Sequence, residues 1–114
     1  MHATVQEYYR RIDAHDVEGL LELFAENARY ERPGYDPLVG RSALRQFYSA
    51  ARVIESGAHA IARVVEAGDS VAVEGRFSGK LKDGRHVELG FADFFVLSAQ
   101  LIVGRRTYFY TPMV

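Results

Sequence analysis

The stretch His86-Val87-Glu88-Leu89-Gly90-Phe91-Ala92-Asp93-Phe94-Phe95-Val96-Leu97 decides the reading of this chain. Extended as a β-strand, its side chains point alternately to opposite faces. Val87, Leu89, Phe91, Asp93, Phe95 and Leu97 share one face, and His86, Glu88, Gly90, Ala92, Phe94 and Val96 share the other. The first face is apolar at every position but one, and the exception is a carboxylate. An ionised Asp among Leu and Phe is costly unless it is paired, hydrogen-bonded or protonated. Asp93 therefore either lines a functional cavity or is a structural Asp bonded to backbone amides or to an arginine.

Working outward, the period of two extends from Ala58 to the end of the chain. Gly68-Asp69, Lys82-Asp83-Gly84-Arg85 and Ser98-Ala99-Gln100 are turn signals that divide it into strands over 58–67, 70–81, 85–97 and 100–110. Long strands joined by tight turns make an antiparallel meander. Upstream the period is 3.6. Val5, Tyr8, Tyr9 and Ile12 form the apolar stripe of a helix over Ala3 to Ala14, with the tyrosine hydroxyls snorkelling to water. His15 reads as a solvated turn residue and Asp16 as the N-cap of a second helix, buried through Val17, Leu20, Leu21 and Phe24 and ending near Ala25-Glu26-Asn27. A short strand, Arg29 to Arg32, places Tyr30 and Arg32 on one face. A turn-rich loop follows over 33–40, then a third helix over Ser42 to Arg52 with Leu44, Phe47, Tyr48 and Ala51 inward. Helices that cover one face of an antiparallel sheet give the α+β class, here a single domain over 1–114.

Composition narrows the function. The 114 residues carry a formal net charge of −1, which argues against general nucleic-acid binding. Cysteine is absent, so thiolate catalysis, thiolate metal sites and disulfides are excluded. No apolar run approaches the roughly 20 residues of a membrane span, and the first ten residues lack the apolar core of a signal peptide. The expectation is a cytoplasmic protein. The four histidines, at 2, 15, 59 and 86, have no metal-ligand spacing, and no glycine-rich phosphate loop or Gly-x-Ser-x-Gly is present, so neither metal nor cofactor is expected.

The order of elements, with Val5-Gln6-Glu7-Tyr8, Asp16-Val17-Glu18-Gly19-Leu20 through Leu23-Phe24-Ala25, Gly40-Arg41-Ser42-Ala43-Leu44 with Phe47-Tyr48, Phe91-Ala92-Asp93-Phe94-Phe95 and Arg106-Thr107-Tyr108-Phe109, resembles the nuclear-transport-factor-two-like superfamily. Its SnoaL-like polyketide cyclases and ketosteroid isomerases are the nearest branch. The resemblance covers nearly the whole chain. It implies a cone-shaped, curved antiparallel sheet packed on three N-terminal helices (a cystatin-like α+β barrel) and a homodimer formed through the sheet. The fold hosts enzymes and non-enzymes alike.

The isomerases use a tyrosine and a protonated aspartic acid as oxyanion hole, with an aspartate base. By resemblance these fall at Tyr8, Asp93 and Arg32. An arginine cannot abstract a proton, so the steroid-isomerase mechanism is not expected. If Arg32 faces the cavity, its nearest neutralising partner is Asp93, with Arg105 a second candidate for that carboxylate; otherwise Arg32 points out at a rim. Facing inward, Arg32 offers a forked donor to a carboxylate or enolate, and an ionised Asp93 can serve as acid/base. His59 is a proton shuttle if it faces the cavity and a surface residue if it does not. Tyr30 supplies a hydroxyl, Arg105 and His59 further ligand contacts, and Phe24, Phe47, Phe91, Phe95 and Phe109 apolar walls. The expected ligand is small and apolar with a carbonyl or carboxylate. The expected function is a cofactor-free isomerase or cyclase of a carbonyl or polyketide-like substrate, the alternative a non-catalytic binding or dimerisation module.

Overall fold

The computed structural model describes residues 2–111. Its elements are α1 (Ala3–Asp13), α2 (Val17–Leu21), β1 (Phe24–Glu31), β2 (Leu38–Val39), α3 (Arg41–Gln46) running into a π-helical turn (Phe47–Ala51), β3 (Ile54–Ala67), β4 (Ser70–Leu81), β5 (His86–Ser98) and β6 (Leu101–Phe109). The strands form one curved, unclosed sheet in the order β2-β1-β6-β5-β4-β3. The β3–β6 meander is antiparallel, but β1 pairs parallel to β6, with Tyr30 opposite Arg105. The sheet is therefore mixed.

The pattern read from β5 is the burial pattern found. Val87, Leu89, Phe91, Asp93, Phe95 and Leu97 are buried, and His86, Glu88, Phe94 and Val96 are exposed. The inner face carries the core. Tyr8 and Tyr9 of α1 set their rings against Phe95 at 5.5 and 6.0 Å between centroids, and Phe47 meets Tyr30 at 5.9 Å. Each fully buried Phe or Leu in such a layer contributes about 1.5–3 kcal/mol.

Several boundaries differ from the sequence expectation. The second helix stops at Leu21 and its continuation, including Phe24, is strand, because β6 offers a pairing edge there; the Ile102 amide donates to the Leu23 carbonyl at 2.8 Å. The third helix runs to Ala51 as read, but its last turn, from Phe47, is π-helical. Strand β3 begins four residues before Ala58, since Ile54 to Gly57 pair with β4. A register shift between Ile61 and Arg63 turns the end of β3 over, so Arg63 faces out to an ion pair with Glu74 at 2.9 Å while His59 keeps the inner side. The Asp16 cap is as read: its carboxylate accepts from the Gly19 amide at 3.0 Å. Among the described residues no helix is long and apolar enough to cross a membrane.

Candidate functional site

Asp93 is fully buried on β5, and three donors converge on it. Tyr9 from α1 donates to Oδ2 at 2.5 Å, Arg105 Nη2 from β6 to the same oxygen at 3.0 Å, and Thr107 to Oδ1 at 2.5 Å. The antiparallel register sets this up, with Asp93 opposite Thr107 and Phe95 opposite Arg105. The partner of Asp93 is thus Arg105 and not Arg32, which corrects the pairing favoured from sequence. The cross-strand neighbour reaches the carboxylate first.

Arg32 stands just beyond β1 with 8 % of its surface exposed, so it does not lie at an open rim. Its guanidinium carbon lies 5.1–5.9 Å from the ring centroids of Phe109, Phe47, Tyr35 and Tyr30, a sleeve of π faces. Nη1 donates to the Tyr30 hydroxyl at 3.1 Å, while Nε and Nη2 are buried with no partner among the described residues. The link to Asp93 is indirect. Thr107 spends its only hydroxyl proton on Asp93, so in the 2.8 Å contact between Tyr30 and Thr107 it is Tyr30 that donates. A directed relay runs from Arg32 through Tyr30 and Thr107 to Asp93.

Tyr8, assigned by resemblance to the oxyanion position, has its hydroxyl 2.8 Å from that of Tyr48, which also accepts from Arg105 Nη1 at 3.1 Å. The tyrosine on Asp93 is Tyr9. Neither hydroxyl of α1 snorkels to water, because the buried carboxylate and guanidinium draw them inward. Burial, and after it the Asp93 charge, pushes the Tyr9 hydroxyl far above its ordinary pKa. Burial also raises Tyr8 and Tyr48. It acts to lower Arg105, but the facing Asp93 and the surrounding tyrosines outweigh it and hold that guanidinium well above its usual value. Arg52, buried after the π turn with no partner on Nε, is pushed down by burial.

Tyr8, Arg32, Arg52, His59, Phe91, Asp93, Arg105, Thr107 and Phe109 all line one interior hollow. Its volume is about 20 Å³, room for roughly one water. The ligand-sized hollow expected from sequence is thus filled, chiefly by arginine and aromatic side chains. Phe24, Phe47 and Phe95, expected as walls, lie in the core behind the lining. Arg52 also lines an outer groove of about 720 Å³ between Pro33–Tyr35, the end of the π turn and the β4–β5 turn, so this residue borders both groove and hollow.

His59 is turned inward between the rings of Tyr9, Phe77 and Phe91, with centroids at 5.2, 4.9 and 5.3 Å. Its Nδ1 lies 2.6 Å from Asp13 Oδ1, and its backbone amide donates to Oδ2 at 3.0 Å. Sequence reasoning missed Tyr9, Tyr48, Arg52, Thr107 and Asp13. Thr107 could have been found by pairing it across the turn with Asp93; Asp13 gave no local signal. Among the described residues no group of three or more His, Asp or Glu is placed to hold a metal ion.

The sequence model of the SnoaL-like domain matches residues 5–105. This chain belongs to that family. Among solved structures, the SnoaL-like chain is similar to SalBIII, described as an epoxide hydrolase/cyclase-like enzyme with a role in pyran ring formation in the polyether salinomycin. The two are 26 % identical, with a TM-score of 0.82 over 93 % of this chain and 87 % of that one. An NTF2-like protein of unknown function from Burkholderia pseudomallei K96243 superposes at 0.85, with 21 % identity, 93 % of this chain and 87 % of that one. A putative SnoaL-like polyketide cyclase from Jannaschia sp. CCS1 gives 0.82, 15 % identity, 94 % and 83 %. These last two likenesses establish the fold.

Proposed function

We propose that this SnoaL-like protein takes a small, largely apolar ligand bearing a carboxylate or an enolisable carbonyl, and performs cofactor-free isomerisation or cyclisation on it. The observation that carries the reading is Arg32: a guanidinium in an aromatic sleeve, with two buried nitrogens unpartnered and no carboxylate against it among the described residues. A buried cation without a counter-ion is costly. A ligand oxyanion supplies the missing charge and a forked acceptor. The likeness to SalBIII supports a cyclase-type reaction.

In this reading the ligand's charged end displaces the Arg52 side chain and lies on Arg32, while its apolar body occupies the outer groove. Asp93, with three of its roughly four acceptor positions taken, holds Arg105 and Tyr9 in place rather than reaching a substrate. The exposed Phe94, Val96 and Tyr108 on the outer sheet face suit a homodimer formed through the sheet.

The test uses 3-benzoylpropionate, an aryl ketone with a carboxylate, against its methyl ester. The acid binds and raises the melting temperature, and the ester does so far less. Arg32→Gln weakens acid binding about 10–100-fold, the loss of one charge-assisted contact. Equal response to acid and ester, or an Arg32→Gln variant that binds as well as wild type, overturns the reading. The second reading, a binding module without turnover, is favoured by the small hollow and by the three donors already on Asp93. It predicts acid binding without any deuterium exchange at the carbon next to the ketone.

A further inference from the structure

Asp13 is the last residue of α1, where a negative charge opposes the helix dipole. Local preference is set aside there for one contact: both carboxylate oxygens close on His59 across the gap to β3, one on the backbone amide and one on Nδ1. An acceptor fixed at Nδ1 leaves Nε2 as the free ring nitrogen, and Nε2 makes no hydrogen bond among the described residues. The ring lines the same hollow as Arg32 and Arg52. His59, Arg32, Arg52 and Asp93 thus border one enclosed space of about 20 Å³. A purely structural clamp on the β3 edge would need only the backbone contact.

We propose that His59 is the proton-transferring group of this site, with Asp13 as its positioning residue, and that its substrate is a carbonyl compound whose oxygen becomes an enolate on Arg32. The assignment rests on the anion reading above and adds the base which that reading lacks. Asp13 holds the proton on Nδ1, so the Nε2 lone pair is offered to the hollow. Nε2 takes a proton from the carbon next to the carbonyl. The C–H electron pair becomes the new C–C π bond, and the carbonyl π pair moves to oxygen, where Arg32 stabilises the charge. In isomerisation the imidazolium delivers the proton to another carbon of a conjugated system; in exchange it first trades that proton for one from water and returns the new one to the same carbon. Nothing else is consumed.

Two measurements on the full chain test this. The first is the nitrogen spectrum of ¹⁵N-histidine-labelled protein, which shows which ring nitrogen of neutral His59 carries the proton. We expect Nδ1–H in the wild type and loss of that bias in Asp13→Asn. The second is deuterium exchange into acetophenone at its methyl carbon, a ketone whose only polar group for Arg32 is its carbonyl oxygen. His59→Gln should bind the probe normally but lose exchange about 10²–10⁴-fold, the ordinary contribution of a general base. Asp13→Asn should slow exchange with little change in binding. A neutral His59 protonated on Nε2, or a His59→Gln variant that exchanges at the wild-type rate, overturns the assignment. Failure of the anion reading looks different: the Nδ1–H tautomer persists while acid and ester respond alike.

Discussion

Arg105 and Arg32 reach the same hollow from neighbouring strands, yet their surroundings are opposite. Arg105 donates to Asp93 and Tyr48 and lies 4.4 Å over the rings of both Tyr8 and Tyr30, leaving only Nε without a partner. Arg32 has one hydroxyl, four aromatic faces and no carboxylate among the described residues. The first is a completed ion pair, in which the charge is balanced within the chain. The second is incomplete, and its deficit is a negative charge. Buried cations of these two kinds respond oppositely to mutation, so the difference can be measured.

The largest effect is expected at the completed end. Asp93→Asn keeps the size of the side chain but removes the charge, leaving Arg105 buried without its counter-ion. We expect a loss of about 3–5 kcal/mol in urea unfolding. A loss under about 1 kcal/mol would mean that the tyrosines alone satisfy Arg105, and the contrast with Arg32 would disappear.

This contrast was only half legible in the sequence. Alternation in His86 to Leu97 was enough to place Asp93 among apolar neighbours, and the turn signals were enough for the β3–β6 meander, because both depend on local period. The partner of Asp93 depends on cross-strand register, and the shift between Val96 and Leu97 near the β5–β6 turn could not be read from spacing. Tyr9 was hidden for another reason. On an amphipathic helix a tyrosine at the stripe edge looks the same whether its hydroxyl meets water or a buried carboxylate. The parallel pairing of β1 with β6 joins segments at least 75 residues apart, as in Tyr30 with Arg105, and no short-range pattern encodes it.

Alkaline pH tests the completed end without mutation. Tyr8, Tyr9 and Tyr48 all have hydroxyls raised above their ordinary value near 10, each chiefly by burial. A folded-state pKa above the unfolded one gives stability that is fully present below pH 10 and is lost as pH rises further, because the unfolded chain then binds fewer protons than the fold. Three such groups amount to about 2–3 kcal/mol lost by pH 10.5. Melting in steps from pH 8 to 10.5 should show that decline, with tyrosinate absorbance from these three rings appearing only as the fold opens.

The smallest effect has the opposite sign and concerns the incomplete end. Arg32→Met fills the aromatic sleeve with an apolar chain of similar length and removes a buried charge that has no counter-ion among the described residues. It also leaves the Tyr30–Thr107–Asp93 relay intact, because Tyr30 still donates to Thr107. The variant should be more stable than wild type by about 1–2 kcal/mol while losing affinity for carboxylate probes. That pairing of outcomes separates a binding arginine from a structural one. A structural arginine stabilises the fold, so replacing it would lower stability and leave the charge of the probe irrelevant. A binding arginine is retained at a cost to the empty protein, and that cost is recovered only when an anion arrives. Arg32→Met unfolding at lower urea than wild type would therefore assign the guanidinium to the core, where Tyr30 and the surrounding rings would be its intended partners.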